Sequence, residues 1–554
     1  MHKKSFNSAN VLFYPTYTCD ENDLNMLYFP SKCCALLQIL ALLACQPANK
    51  PKPYTVASTD AVVFAPDTSK IPALFELDTL SYPFIQLAEN QVSNVNGLEH
   101  FYHQLGELEA GRIHQVRILH VGDSHIQADF WSGWMRTLLQ RRFGQAGRGL
   151  IFPYKQAGSH NPLDLVTQSN TAWLGRWRTY HDGDLNTGIT GMAIQTNQPN
   201  FELIFSQKNR YGLDNRFDCV TLFYQKGAQS FDVIAEVPTP EKNGEPVAAT
   251  LKTPPPPWQT PVPAATITHR VRSGESFYTI AHRYGMRVEQ LKRFNGQRTN
   301  LIKPGQTLKI PQQGKIIAKK MPATPVPAPS TAGYKEVARF SGQNDDGSPF
   351  YSTICFDEPA NQLRLRGARS SDEQRHATIY GVLLENSYGS GVLYASAGVN
   401  GATFFHFNHT GTFLEQLPGV QPDLVIVSLG TNESVIARFP TAQIEAEVDH
   451  FLQKIRAQLP QASILVTTNS DNLRNKVIEN PNSLVMRDLL IRKSREYNAA
   501  WWDLYQIMGG AGSMRLWRNQ GLSRPDGVHF TESGYLLQAQ LLNAALMNAY
   551  DTSH

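Results

Sequence analysis

The chain has 554 residues, 41% of them hydrophobic and 18% charged, a balance that excludes a disordered polymer and leaves room for several folded domains. The net charge of +4 is small for this length and argues by itself neither for nor against nucleic acid; with no dense Lys/Arg block, no nucleic-acid partner is expected. There is no Cys-x-x-Cys and no Cys/His cluster to suggest a metal site.

The N-terminus reads as a targeting segment. Four of the six cysteines, Cys19, Cys33, Cys34 and Cys45, fall within its first 45 residues. The stretch CCALLQILALLAC (33–45) has the length of a secretory apolar region and is too short to span a bilayer well. It ends in Leu42-Leu43-Ala44-Cys45, which resembles a lipoprotein box, and that resemblance implies Cys45 as the lipidated first residue of the mature chain. Residues 1–45 are therefore read as a leader, with translation starting at Met26 and Lys32 supplying the charge before the apolar run. A plain secretory signal or a buried apolar helix is the alternative. The lipoprotein and secretory readings both export the chain, to the periplasm or, through a lipid anchor in the membrane, to the outer-membrane or cell surface. Residues 46–95 read as a flexible stalk and lead-in.

An α/β unit follows over 96–169. Leu98, Phe101, Tyr102, Leu105 and Leu108 recur at helical spacing; VRILHV (116–121) is a β-type run, and DFWSGWMRTLLQRRFG (129–144) is a helix. The same grammar returns over 398–554. DLVIVSLG (423–430) and SILVTTN (463–469) are apolar runs of the kind buried in parallel sheets. Helices are predicted over 441–459, 483–498 and 531–550. The two ends thus form one α/β domain interrupted in the middle.

The middle is β-rich. Residues 170–236 and 334–397 hold short strand-like runs separated by Gly, Asn and Asp, which predicts a β-sandwich in two parts. Cys219 and Cys355 each lie in such a run and are read as buried free thiols, with a disulfide as the alternative on export. Pro-rich linkers at 237–268 and 312–333 separate the two parts. Between them, residues 269–311 predict a small βααβ module with Ile280, Ala281, Tyr284, Val288, Leu291 and Phe294 facing inward. The run VRSGESFYTIAHRYG, then LKRFNG, then IKPGQTLKIP, resembles the LysM domain. That resemblance implies binding to peptidoglycan or another GlcNAc-containing glycan, through a groove near Gly274, Glu275, Ser276, Asn300 and Ile302.

Gly122-Asp123-Ser124 follows the first predicted strand of the α/β domain. A serine hydroxyl is a poor nucleophile unless a base takes its proton and a third group orients that base. Asp526-Gly527-Val528-His529 offers such a pair, three residues apart in a turn before a helix. Gly401 offers a backbone N–H that a substrate can approach closely, and Asn432 lies just past a buried strand, where parallel sheets place their ligands. Alone, each piece has an ordinary structural explanation. Together, in this order, they resemble the SGNH hydrolases, also called GDSL esterases. The variants GDSHIQADF and GTNE resemble the branch with peptidoglycan and polysaccharide O-acetylesterases, in which a carbohydrate-binding-like β-sandwich can be inserted. His125 and Glu433 depart from the Leu and Asp common at their positions.

The resemblance implies a three-layer α/β/α fold with a parallel sheet, interrupted by the sandwich that itself carries the LysM module. It implies Ser124, Asp526 and His529 as catalytic residues, and Ser124, Gly401 and Asn432 as the oxyanion hole. The expected activity is removal of O-acetyl groups from a cell-surface glycan, by serine chemistry that is expected to need no metal or organic cofactor. The alternatives are a lipase or thioesterase, a sugar O-acetyltransferase, and a non-catalytic wall-binding protein.

Overall fold

The computed structural model of the protein describes residues 82–553, except 180–184, 211, 240–265, 273–279, 281–290, 293–294, 298–301, 312–332, 345, 349, 410 and 437–438. Cys45, residues 46–81 of the expected stalk and lead-in, and most of both linkers lie outside the described residues; residues 82–95, expected as a flexible lead-in, instead carry short helical turns and the strand Val92–Ser93, held by its pairing with Ala500–Trp502.

The α/β domain is built on a six-stranded sheet in the order Val92–Ser93, Ala500–Trp502, Ser463–Thr467, Leu424–Ser428, Gln115–Gly122, Gly391–Gly398. All neighbours are parallel except Val92–Ser93, which runs antiparallel to Ala500–Trp502. Both faces are apolar because alternate residues feed two cores. Val116, Ile118, Leu424, Ile426 and Leu465 pack toward helices Glu99–Glu109, Phe130–Phe143 and Glu532–Ser553. Leu119, Val121, Val425, Val427, Ile464 and Val466 pack toward helices Thr441–Gln458 and Asn482–Glu496. This is a three-layer α/β/α sandwich. Helix Thr441–Gln458 shows why the sequence was readable: Ile444, Val448, Phe451, Leu452 and Ile455 form its buried stripe, and it stops before Pro460.

The insert is a β-sandwich of two antiparallel sheets. One has the order Tyr334–Phe340, Asp232–Pro238, Gln362–Ala368, Glu202–Gln207, Leu165–Ser169. The other has the order Tyr351–Ala360, Phe217–Tyr224, Ala377–Glu385, Met192–Thr196, Leu174–Trp177, with Gly149–Ile151 also paired to Ala377–Glu385. The expected boundaries shift accordingly. Gly391–Gly398, expected in the sandwich, is an edge strand of the parallel sheet, in register with Gln115–Gly122. Gly149–Ile151 and Leu165–Ser169, expected in the α/β domain, pair with the sandwich. A short apolar run has the same period in either sheet, so only its partners distinguish them.

The two body cysteines form a disulfide, Cys219–Cys355, rather than the expected free thiols. The cause is register: strands Phe217–Tyr224 and Tyr351–Ala360 are antiparallel neighbours with Cys219 directly opposite Cys355. The strands lie 136 residues apart in sequence, and sequence spacing did not reveal that pairing.

In the LysM region, Thr266–Arg270 pairs antiparallel with Thr307–Pro311, and Val271, Ile280, Leu291, Leu308 and Ile310 form a small core of their own. Among the described residues no helix is long and apolar enough to cross a membrane.

Replacing both Cys219 and Cys355 by Ala is expected to lower the unfolding free energy by about 2–4 kcal/mol, because the bond closes a long loop in the unfolded chain. Denaturant titration of the oxidised and double-variant chains checks this; coincident midpoints would contradict it.

Candidate active site

Ser124 opens a four-residue helix, Ser124–Gln127, at the C-terminal end of strand Gln115–Gly122. The preceding Asp123 caps it: Asp123 Oδ1 accepts from the His125 N–H at 2.9 Å. Gly122 is required here, because a Cβ would meet the Ile126 side chain at 2.3 Å and the Ser428 carbonyl at 2.9 Å. The turn that carries Ser124 is anchored below by a buried ion network. Asp129 and Asp164 each pair with Arg136 and Arg148 at 2.6–3.3 Å, and all four side chains are at most 3% exposed. Burial opposes the Asp129 charge, but the two guanidinium groups outweigh it and hold the carboxyl well below the usual range.

The structure brings Ser124, His529 and Asp526 together. Ser124 Oγ lies 2.9 Å from His529 Nε2, across 405 residues of sequence. His529 Nδ1 lies 3.0 Å from Asp526 Oδ2. Asp526 Oδ1 accepts from the Val528 and His529 N–H groups, each at 2.9 Å. Burial raises the cost of the Asp526 charge, but the hydrogen bonds from the His529 side chain and these two amides prevail and hold it well below the ordinary carboxylate range. The depressed pKa favours the ionised form of Asp526, and a carboxylate, which can only accept, is matched by a hydrogen on Nδ1 of His529. Nε2 is left to accept from Ser124.

The loop after strand Gly391–Gly398 brings Gly401 to the same edge. Val399 N–H donates to Gly122 O at 3.2 Å, and Asn400 N–H to Gln127 Oε1, so the loop is tied to the nucleophile turn on both sides of Ser124. Gly401 has φ +78°, a conformation that favours glycine. Asn432 sits in the short helix Thr431–Ser434 after strand Leu424–Ser428. Its Nδ2 donates to Ala402 O at 2.9 Å and to Asp123 Oδ2 at 3.2 Å, linking the Gly401 loop to the residue before the serine.

Several neighbours were not assigned a role by sequence reasoning. His125, noted only as a departure, is buried beside the relay; its ring centre is 5.3 Å from that of His529, and its Nδ1 lies 2.9 Å from Tyr535 Oη. Burial pushes its pKa down to about 3, so it is a neutral wall behind His529. Arg178, from the sandwich, donates to the Phe407 and Gly188 carbonyls at 3.2 and 2.9 Å and so supports the helix that follows the Gly401 loop. A lone Arg in a β-rich insert carries no sequence signal for that task.

Of the groove residues expected in the LysM region, Gly274, Glu275, Ser276 and Asn300 lie outside the described residues, and Ile302 packs against the small core.

Comparison with known proteins agrees with this architecture. Residues 365–537 match the GDSL-like Lipase/Acylhydrolase family, and residues 269–311 match the LysM domain. The chain thus carries a GDSL-like lipase/acylhydrolase domain and a LysM domain. The matched stretch of the first contains Gly401, Asn432, Asp526 and His529; Ser124 precedes it and joins it through strand pairing. A solved structure of a peptidoglycan O-acetylesterase shares the fold, with a TM-score of 0.54 at 18% identity, covering 82% of this chain and 96% of that one.

Curated relatives match over a short stretch. An N-acetylmuramoyl-L-alanine amidase, sle1, of Staphylococcus haemolyticus is 54% identical over 46 residues, 8% of this chain and 14% of that protein. A probable peptidoglycan endopeptidase, LytE, of Bacillus subtilis is 42% identical over 43 residues, 8% of this chain and 13% of that protein. The chain therefore spans only about one seventh of the length of these relatives.

Replacing Asp526 by Asn is expected to lower kcat on a small ester such as p-nitrophenyl acetate by on the order of 10³–10⁴-fold, by disturbing the tautomer of His529. A loss below about tenfold would contradict the relay. Because its folded pKa is depressed, Asp526 also stabilises the fold above its unfolded pKa of about 3.9, and that contribution fades as pH falls. In acid titrations of stability, Asp526→Asn should therefore flatten the decline below about pH 4.

Proposed function

We propose that the chain is an exported serine esterase that removes O-acetyl groups from peptidoglycan or a related GlcNAc-containing polysaccharide. The observation that carries this reading is the Ser124–His529–Asp526 relay, at 2.9 and 3.0 Å, on the same chain as a LysM domain. The likeness of fold to a peptidoglycan O-acetylesterase and the LysM stretches of peptidoglycan-active relatives support the substrate class. The Cys219–Cys355 disulfide supports an oxidising compartment outside the cytosol. Cys45 as a lipid anchor remains part of the proposal on the lipoprotein-box resemblance alone.

The geometry supports the following reaction. Ser124 Oγ attacks the ester carbonyl as His529 Nε2 takes its proton. The tetrahedral oxygen is held by the Ser124 and Gly401 N–H groups and by Asn432 Nδ2. The longer of the two Asn432 bonds, to Asp123 at 3.2 Å, is the one whose hydrogen can be shared with that oxygen. The intermediate collapses, the carbon–oxygen bond to the sugar breaks, and His529 returns the proton to the sugar oxygen. Water, deprotonated by His529, then attacks the acetyl carbonyl; the bond to Ser124 Oγ breaks, His529 returns the proton to Oγ, and acetate leaves. Asp526 stays ionised throughout and stabilises the imidazolium. LysM raises the local concentration of the enzyme on the glycan without entering the chemistry.

The test is acetate release from O-acetylated peptidoglycan by the intact chain and by Ser124→Ala. Release by the intact chain alone is the expected result; equal release by both would contradict a serine mechanism. A lipase or thioesterase reading is favoured by one observation: Val435 and Ile436, just past Asn432, are 43% and 40% exposed. A series of p-nitrophenyl esters separates the two readings. Activity highest on acetate and falling with chain length is expected; activity that rises with chain length would favour the lipase.

A further inference from the structure

We propose that Glu433 is a positioning residue for the oxyanion hole: its buried carboxyl clamps the Gly401 loop against Asn432, so that donors on two separate loops meet one oxygen. The inference rests on the esterase reading and deepens it.

Asn432 and Glu433 are consecutive, but they face different surroundings. Asn432 is half-buried at the site, whereas Glu433 is 3% exposed beneath it. Glu433 Oε1 accepts from the Phe404 N–H at 2.8 Å. Asn432 Nδ2 donates to the Ala402 carbonyl at 2.9 Å. The pair thus grips the segment just after Gly401 at a carbonyl and at an amide two residues apart. Upstream, the same loop is held by Gly122 O and Gln127 Oε1. Among the described residues, a Cβ on Gly401 would meet only Thr179 Cγ2 at 3.8 Å. The direction of its N–H is therefore set by the tethers on either side, and Glu433 supplies the downstream amide tether.

Among the described residues the second oxygen, Oε2, is buried with no partner at good hydrogen-bond geometry, and beyond Phe404 the carboxyl is stabilised by the backbone N–H groups of Glu433 and Gly430. An acid kept in that position is a poor choice for packing alone, since an apolar side chain would leave no acceptor unsatisfied. Burial, reinforced by the neighbouring Asp123, pushes its pKa up to about 7, so an uncharged amide is a close mimic of the acid form. An aspartate here would be shorter by one methylene and would draw the carboxyl back from the Phe404 N–H.

The test measures kcat and KM separately on p-nitrophenyl acetate with the full chain. Glu433→Gln, whose carbonyl oxygen accepts from the same N–H, is expected to keep kcat within about threefold, while Glu433→Ala and Glu433→Asp lower it by about 10–100-fold with KM within about threefold. In an Asn432→Ala background, Glu433→Ala should cost at least about threefold less than it does in the wild-type chain, because the Gly401 N–H no longer has to be held in register with Asn432 Nδ2 at one oxygen. A structural role alone would give the same loss in both backgrounds, and that result would overturn the inference. So would an unchanged kcat in Glu433→Ala, or a loss in Glu433→Gln as large as in Glu433→Ala. If Glu433→Ala does not fold, the comparison of Glu433→Gln with Glu433→Asp decides on the same criteria. A wild-type chain inactive on every ester would overturn the esterase reading and this inference together; an active wild type indifferent to Glu433 would overturn this inference alone.

Discussion

The parallel pairing of strand Gln115–Gly122 on both its edges is the constraint on which the rest of the structure depends. One edge takes Gly391–Gly398 and the other Leu424–Ser428, both from the far side of the insert. Because all three strands run the same way, their C-terminal ends reach one edge of the sheet, where α/β folds place their ligands. Ser124, the Gly401 loop and Asn432 follow those three ends. Both faces of each strand are buried, so a one-residue slip would exchange the residues packed against the two helical layers. The same burial that stabilises the sheet therefore fixes the registration of the site. A β-rich insert can interrupt the sequence without disturbing it, because Gly149–Ile151 and Ala377–Glu385, where the chain leaves and re-enters, pair with each other.

Beneath that edge the protein buries charge, and it does so in balanced sets. Two aspartates and two arginines close the network around Asp129, which turns the chain in the left-handed region at φ +54° between the nucleophile turn and the following helix. Removing one partner would leave an uncompensated buried charge, which is far more destabilising than the intact set is stabilising. Asp526 is treated differently: it remains partly exposed and keeps its charge through three hydrogen bonds. In the proposed mechanism Asp526 has to be ionised to stabilise a transient imidazolium, whereas Asp123 and Glu433, which only hold backbone and amide groups, can be buried with raised pKa values.

Much of this was legible in the sequence. The continuous runs VRILHV, DLVIVSLG and SILVTTN, and the apolar stripes of the flanking helices, gave the layered domain at its two ends because burial of both strand faces leaves a compositional mark. Ser124, Gly401, Asn432, Asp526 and His529 could be gathered because each stands in a short pattern next to a strand or a helix. The partners that hold them were not legible. Arg178, Gln127 and Tyr535 act from positions whose local sequence resembles any other, and the pairing of Cys219 with Cys355 depends on a strand register between residues 136 apart. The strand GVLYASAG was assigned to the wrong sheet for the same reason: its period is that of a strand, but its neighbour is a matter of topology.

The most direct test of the central claim is to trap the acyl-enzyme. The intact chain would be mixed with an O-acetylated glycan, quenched in acid during turnover, digested and examined by mass spectrometry. The account predicts an acetyl group on Ser124 and on no other residue, absent when His529 is replaced by Ala. Turnover with no acetyl group on Ser124, or with acetyl on another side chain, would contradict it.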